Sequence, residues 1–154
     1  MKLELNQLNP VVFGDGYRPN VGIIITNNEG KVFWARRITG DGWQFPQGGL
    51  KPSESLLQGM YRELLEETGF HSDDMVFLGD ISGNPVRYTN RAYLFLAQNV
   101  QEVAVQDLDE MEDIEVVLMS FESLVTQALS GEMQHPHHMA ALLLALNHLG
   151  KIHV

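Results

Sequence analysis

Three glutamates, Glu63, Glu66 and Glu67, stand at i, i+3 and i+4. On a helix that spacing puts all three carboxylates on one face. Like charges so close together destabilise a helix unless something offsets them. A hard divalent cation such as Mg²⁺ takes oxygen ligands and relieves the repulsion. For Glu66-Glu67 alone, a solvated acidic surface is the better reading. The case for a metal centre therefore depends on what surrounds them.

A helical pattern does surround them. Leu56, Leu57, Met60, Tyr61, Leu64 and Leu65 recur at three- and four-residue spacing, predicting a helix from about Ser53 to Thr68. Ser55 and Gln58 have capping-box spacing, and Gly69 is placed as the stop. Leu57, Tyr61, Leu64 and Leu65 are expected to anchor the face opposite the carboxylates.

Before this helix, the β-branched run Val21–Thr26 and the segment Lys31–Arg37 predict a hairpin around Asn27-Asn28-Glu29-Gly30. Residues 39–53 read as loop. After the helix, strands are expected at Met75–Asp80, Ala92–Ala97 and Ile114–Met119. Ser120 caps a helix running to about Ser130, and Pro136 opens a last one with Met139–Leu149 as its apolar body. This order gives an α/β fold of the α+β type, a mixed sheet sandwiched between helices. One domain over residues 1–154 is expected, with 1–16 as a lead-in to which Leu3, Leu5 and Leu8 add an edge strand.

Composition sets the outer limits. The chain has 154 residues, 44% hydrophobic and 19% charged, as in a soluble globular protein. It has no cysteine, which rules out disulfides and thiolate metal sites. The N-terminus does not read as a signal peptide, and no apolar run is long enough to span a bilayer. A cytoplasmic protein without membrane contact is expected. The formal charge of −10 argues against long contacts with a nucleic-acid backbone. It does not argue against a pocket for one phosphorylated end. Eight of the ten basic residues fall between Arg18 and Arg91, on the side of the chain that holds the carboxylates.

Gly48, Glu54, Arg62-Glu63-Leu64, Glu66-Glu67, Gly69 and Phe70 together fill every fixed position of a known signature. The pattern resembles that of the Nudix hydrolases, metal-dependent enzymes that break phosphoanhydride bonds in nucleotides. The resemblance implies a Nudix α/β/α sandwich. It implies that Glu63, Glu66 and Glu67 bind metal and that Arg62 and Glu54 hold the loop against the helix. Gly48 would let the backbone approach the metal, Mg²⁺ or else Mn²⁺. Such a metal polarises bridging phosphates and activates a water. The family often takes one more acid from a later loop. Within Asp109–Asp113, Glu112 is the first choice and Glu110 the second.

Two halves of the chain resemble different members. Asp15–Gly22, Trp34–Arg37, Trp43–Gly49 and Val86-Arg87-Tyr88 resemble bacterial RNA pyrophosphohydrolases and diadenosine polyphosphate hydrolases. Asp109–Val116 and the ending Ser130–Met133 with Met139–Leu146 resemble ADP-ribose pyrophosphatases. The first resemblance implies a substrate with a di- or polyphosphate, the 5′ end of RNA being one form of it. Arg18, Arg36, Arg37 and Arg87 are candidates to grip phosphate. Trp43, Phe45 and Tyr88 are candidates to stack on a base. For each arginine a plain surface role is an equal reading, and Trp43 and Phe45 read first as packing residues. The alternatives are an ADP-ribose or nucleoside diphosphate sugar pyrophosphatase, and a catalytically silent nucleotide sensor. The intact carboxylates argue against the sensor. The chain would act as a monomer or a homodimer. His135-Pro136-His137-His138 reads as solvated imidazoles at a helix entry rather than as a metal site.

Overall fold

A computed structural model describes residues 18–39, 42–87 and 90–153. The lead-in with its expected edge strand, and Tyr88, lie outside the described residues.

The hairpin forms as its residues dictate. Strands β1 (Asn20–Thr26) and β2 (Val32–Arg37) pair antiparallel, with Ile25 opposite Phe33. The Asn27 carboxamide oxygen accepts from the backbone N–H groups of Glu29 and Lys31, both at 3.0 Å. Gly30 supplies the left-handed residue of the turn at φ 75°. The predicted loop 39–53 instead contains two short strands, β3 (Trp43–Gln44) and β4 (Gln47–Gly49), which pair with β2 and β1 respectively. Their Gly- and Pro-rich sequence carries no period-2 alternation, so pairing with neighbours makes them strands.

Helix α1 (Leu56–Thr68) starts after Ser55, whose side chain accepts from Gln58 N–H in a complete capping box. Gly69 ends it in the left-handed conformation, φ 75°. Two residues each from β5 (Phe70–His71) and β8 (Gln101–Glu102) make a small second sheet that pattern reading misses. Strands β6 (Asp74–Ile81), β7 (Ala92–Gln98) and β9 (Ile114–Met119) fall where expected. So do α2 (Phe121–Leu129), capped by Ser120, and α3 (Pro136–His148).

The main sheet runs β3-β2-β1-β7-β6, with β4 added to β1 and β9 to β2. It is mixed, because β1 and β7 are parallel, Asn20 opposite Ala92 through Ile25 opposite Ala97. Strand alternation sends Val21, Ile23 and Ile25 to one face and Ile24 to the other. Helix α1 covers the first face with Leu56, Met60 and Leu64, over Phe95 and Ala97 of β7. Helices α2 and α3 cover the second with Leu124, Leu142 and Ala145, over Trp34, Phe45 and Leu96.

Two expectations are corrected here. Leu65 is 41% exposed rather than core. The buried stripe of α1 is Leu56–Met60–Leu64, a straight i, i+4, i+8 ridge, and Leu65 lies one residue past it. His138 is buried, not solvated: its ring packs edge-on to Trp34 and Phe45 at 5.7 and 5.5 Å between centroids.

Candidate active site

The buried stripe of α1 fixes where the carboxylates go. With Leu64 pinned in the core, Glu63 and Glu67 fall on the flank that meets the loop from β4, and both are buried, at 6% and 2% exposure. Glu66 lies further out. The β1–β4 pairing lays Gly48 directly on this flank. A Cβ built on Gly48 would overlap the Glu63 carboxylate, so only glycine allows the backbone so close. The backbone N–H of Gln47 donates to Glu67 Oε2 at 3.0 Å.

Arg62 ties the loop to the helix. Its Nε and Nη2 grip both oxygens of Glu54 at 2.6 and 2.9 Å, and Nη2 also donates to the Gly49 carbonyl at 3.1 Å. Its Nη1 donates to Glu63 Oε1 at 2.6 Å and Glu66 Oε2 at 3.1 Å. Glu54 in turn accepts from the Lys51 N–H at 2.8 Å. The geometry is that of a bidentate brace. The Arg62 hydrogen bond holds the Glu54 carboxyl below the ordinary range, and Glu54 first among its partners pushes the Arg62 guanidinium higher still.

The other carboxylates respond to burial in the opposite direction. Burial raises the Glu63 carboxyl against the opposing pull of Arg62. Burial, then the charge of Glu63, raises Glu67 to about 8. The charge of Glu112 adds to both. These groups face one another without enough positive charge among them.

Around them lies a small cavity of about 140 Å³, lined on one side by Gly48, Gly49, Arg62, Glu63 and Glu66. Asp109 and Glu112 close it from the acidic loop, and Arg18 and Lys51 bring positive charge to it. Glu112 braces its own loop by accepting from the Asp109 N–H at 3.1 Å. Glu110 is not among the lining residues.

The sequence-derived residues thus divide. Gly48, Glu63, Glu66, Glu112, Arg62 and Arg18 meet at one cavity, with Glu54 and Glu67 bonded into its wall. Arg36 and Trp43 line a different and larger cavity. Arg37 and Arg87 line neither, and Phe45 is buried in the core. Sequence reading missed Lys51, whose Nζ lies 3.8 Å from Glu66 Oε1, and the part Asp109 plays at the cavity. It also missed Gln106, whose side-chain amide donates to the Glu67 carbonyl at 2.6 Å. The one signal for Lys51 was a cation in the signature's variable loop between Gly48 and Glu54; a backbone-directed amide such as Gln106 leaves none.

The donor set fits a hard divalent cation: oxygen only, partly buried, and short of positive charge. Glu63, Glu66, Glu67 and Glu112 are the side chains available to hold it. Among the described residues no three His, Asp or Glu side chains are already gathered as a metal-binding group, and Arg62 Nη1 stands between Glu63 and Glu66. No helix of the described residues is long and apolar enough to cross a membrane.

Comparison with known proteins agrees with this geometry. The chain is 56% identical over 69 residues to an RNA pyrophosphohydrolase of Pseudomonas putida, covering 45% of this chain and 43% of that one. It is 55% identical over 69 residues to an RNA pyrophosphohydrolase of Stenotrophomonas maltophilia, covering 45% of this chain and 34% of that one. The chain thus spans well under half the length of these relatives. Among solved structures it resembles an ADP compounds hydrolase with a TM-score of 0.69 at 21% identity, covering 88% of this chain and 78% of the other. That likeness shows the fold. The family model described as the NUDIX domain matches residues 16–142, and the chain belongs to that family.

Proposed function

We propose that this chain is a metal-dependent hydrolase of phosphoanhydride bonds in nucleotides, acting on RNA 5′-triphosphate ends or dinucleoside polyphosphates. The observation that carries the reading is the meeting of Glu63, Glu66 and Glu112 at one cavity whose rim holds Arg18 and Lys51, with Glu67 buried in the wall within reach of their charges. The identity to RNA pyrophosphohydrolases over 69 residues supports the substrate class. When bound, Mg²⁺ or Mn²⁺ polarises phosphate oxygens and lowers the pKa of a water.

The chain's own residues do the rest. Glu63 and Glu67 are held ready by burial, Glu63 also by the Arg62 guanidinium and Glu67 by the Gln47 N–H. Arg62 and Glu54 keep the β4 loop against α1, which fixes the carboxylates relative to Gly48. Arg18 and Lys51 attract the polyphosphate into an otherwise acidic protein and orient it. The acidic loop from Asp109 to Glu112 supplies the last carboxylate, Glu112, at the wall of the same cavity.

The test is hydrolysis with Mg²⁺ of 5′-triphosphorylated RNA, a diadenosine polyphosphate and ADP-ribose side by side. The first two are expected to be preferred, and Glu67→Gln is expected to cost at least about a hundredfold in rate. Preference for ADP-ribose would transfer the assignment to the second reading, which the sequence of Asp109–Val116 favours. Unchanged turnover in Glu67→Gln would defeat the catalytic reading of α1.

A further inference from the structure

The larger cavity, about 590 Å³, lies away from the carboxylates and shares no lining residue with their cavity. Arg36 follows Trp34 by two residues on β2, so both point to the α2–α3 face of the sheet. Trp43 sits beside them on β3, its ring parallel to that of Trp34 at 6.2 Å between centroids. The opposite wall is the connection from α2 to α3, with Glu132, Gln134 and His135. Helix α1 and its carboxylates are on the other face.

The wall chemistry restricts what fits. Trp43 offers an indole face, and Arg36 Cζ stands 5.9 Å from that ring's centre. Arg36 spends Nη2 on Glu115 at 2.6 Å, and among the described residues Nε and Nη1 have no hydrogen-bond partner. His135 Nδ1 accepts from the His137 N–H, so its proton resides on Nε2, a donor. Glu132 adds an acceptor, and Gln134 adds both kinds of group. An apolar ligand would leave these groups unpaired. A bare phosphate would meet the Glu132 carboxylate. A flat ring with donors and acceptors along its edge satisfies all of them, and the cavity is of ordinary ligand size.

We propose that the Trp43–Arg36–Glu132 cavity is a second ligand site that takes the base of a nucleotide, stacked on Trp43, on the face of the sheet opposite the metal centre. It stands independently of the hydrolase reading. The base can come from a free nucleotide or from a nucleic-acid strand.

The test is a titration of the full chain in EDTA with AMP, GMP and a single-stranded hexanucleotide bearing a 5′-hydroxyl. The readout is the indole N–H resonance of Trp43, assigned with Trp43→Phe. A saturable shift is expected, unchanged in Glu67→Gln and weakened about tenfold in Arg36→Gln and in Glu132→Gln. Both variants alter exposed side chains, and their melting temperatures check the fold. Saturation by mononucleotides assigns a free nucleotide, and saturation by the hexanucleotide alone assigns a strand; either supports the site. No shift up to about 5 mM probe overturns it. So does a shift that survives Arg36→Gln and Glu132→Gln unchanged, or one that disappears in Glu67→Gln, which would place the probe in the carboxylate cavity.

Discussion

Replacing Glu67 by Gln should stabilise the metal-free protein, although it removes a residue of the site. Glu67 is 2% exposed, and its carboxyl is raised to about 8 from an ordinary 4.5. The sign follows from linkage. Below pH 4.5 folded and unfolded chains both carry the proton, so the site costs nothing. Between 4.5 and 8 only the folded chain keeps it, and stability falls as pH rises, at about 1.4 kcal/mol per pH unit. At pH 7 the accumulated loss approaches about 3 kcal/mol. Glutamine has no proton to lose and keeps an oxygen for the Gln47 N–H. In EDTA at pH 7, Glu67→Gln should therefore melt roughly 5–10 °C above the parent. At pH 5 the gain should shrink below about 1 kcal/mol. Thermal unfolding at the two pH values, with and without Mg²⁺, is the assay. Magnesium should stabilise the parent and leave the variant unmoved, reversing their order. Equal melting temperatures at pH 7, or a gain undiminished at pH 5, would refute the argument that Glu67 is held at a cost.

Other perturbations test other parts. Arg62→Met should destabilise by about 3 kcal/mol, because Glu54 and Glu63 lose their shared partner; a double-mutant cycle with Glu54→Gln should show coupling above about 1 kcal/mol in denaturant unfolding. Gly48→Ala should keep the fold by circular dichroism yet lower Mg²⁺-dependent activity about 10–100-fold, since its Cβ displaces the Glu63 carboxylate. Arg18→Gln should raise KM for a polyphosphate substrate more than it lowers kcat, as expected for a residue at the cavity rim. His138, buried and lowered to about 3, stays neutral in the fold, so its contribution is intact above pH 6.5 and is lost as pH falls toward 3. His138→Phe should therefore resist acid unfolding by about 2 kcal/mol at pH 5 relative to the parent.

What was legible in the sequence was whatever a single segment decides. The capping box at Ser55, the stop at Gly69, the Asn27 turn, the cap at Ser120 and Pro136 as the first residue of α3 are local chemistry, and each stands where its residues put it. The signature marked Glu63, Glu66, Glu67, Arg62, Glu54 and Gly48 for the same reason. What was not legible needed a partner from elsewhere. Strands β3 and β4 exist through β2 and β1, and the small β5–β8 sheet joins segments thirty residues apart. The burial of His138 depends on Trp34 and Phe45 arriving beneath α3. Arg36 and Arg37 are adjacent in sequence, but a strand sends neighbours to opposite faces, and only the packing of α2 and α3 over Arg36's side revealed a cavity there.

The parallel pairing of β1 with β7 has a consequence for the order of events during synthesis. A nascent chain that has emerged as far as Phe70 already carries every signature residue. It still lacks Phe95 and Ala97, which complete the core that Leu56, Met60 and Leu64 share with Val21, Ile23 and Ile25. Until they arrive, the layer beneath α1 holds only Val21, Ile23 and Ile25 of β1, and the rotation that turns the three glutamates toward Gly48 is incompletely fixed. Metal affinity should thus appear abruptly, once Ala92–Gln98 has left the ribosome and closed against Asn20–Ile25. A peptide cut to the signature alone would carry the right letters and have no site.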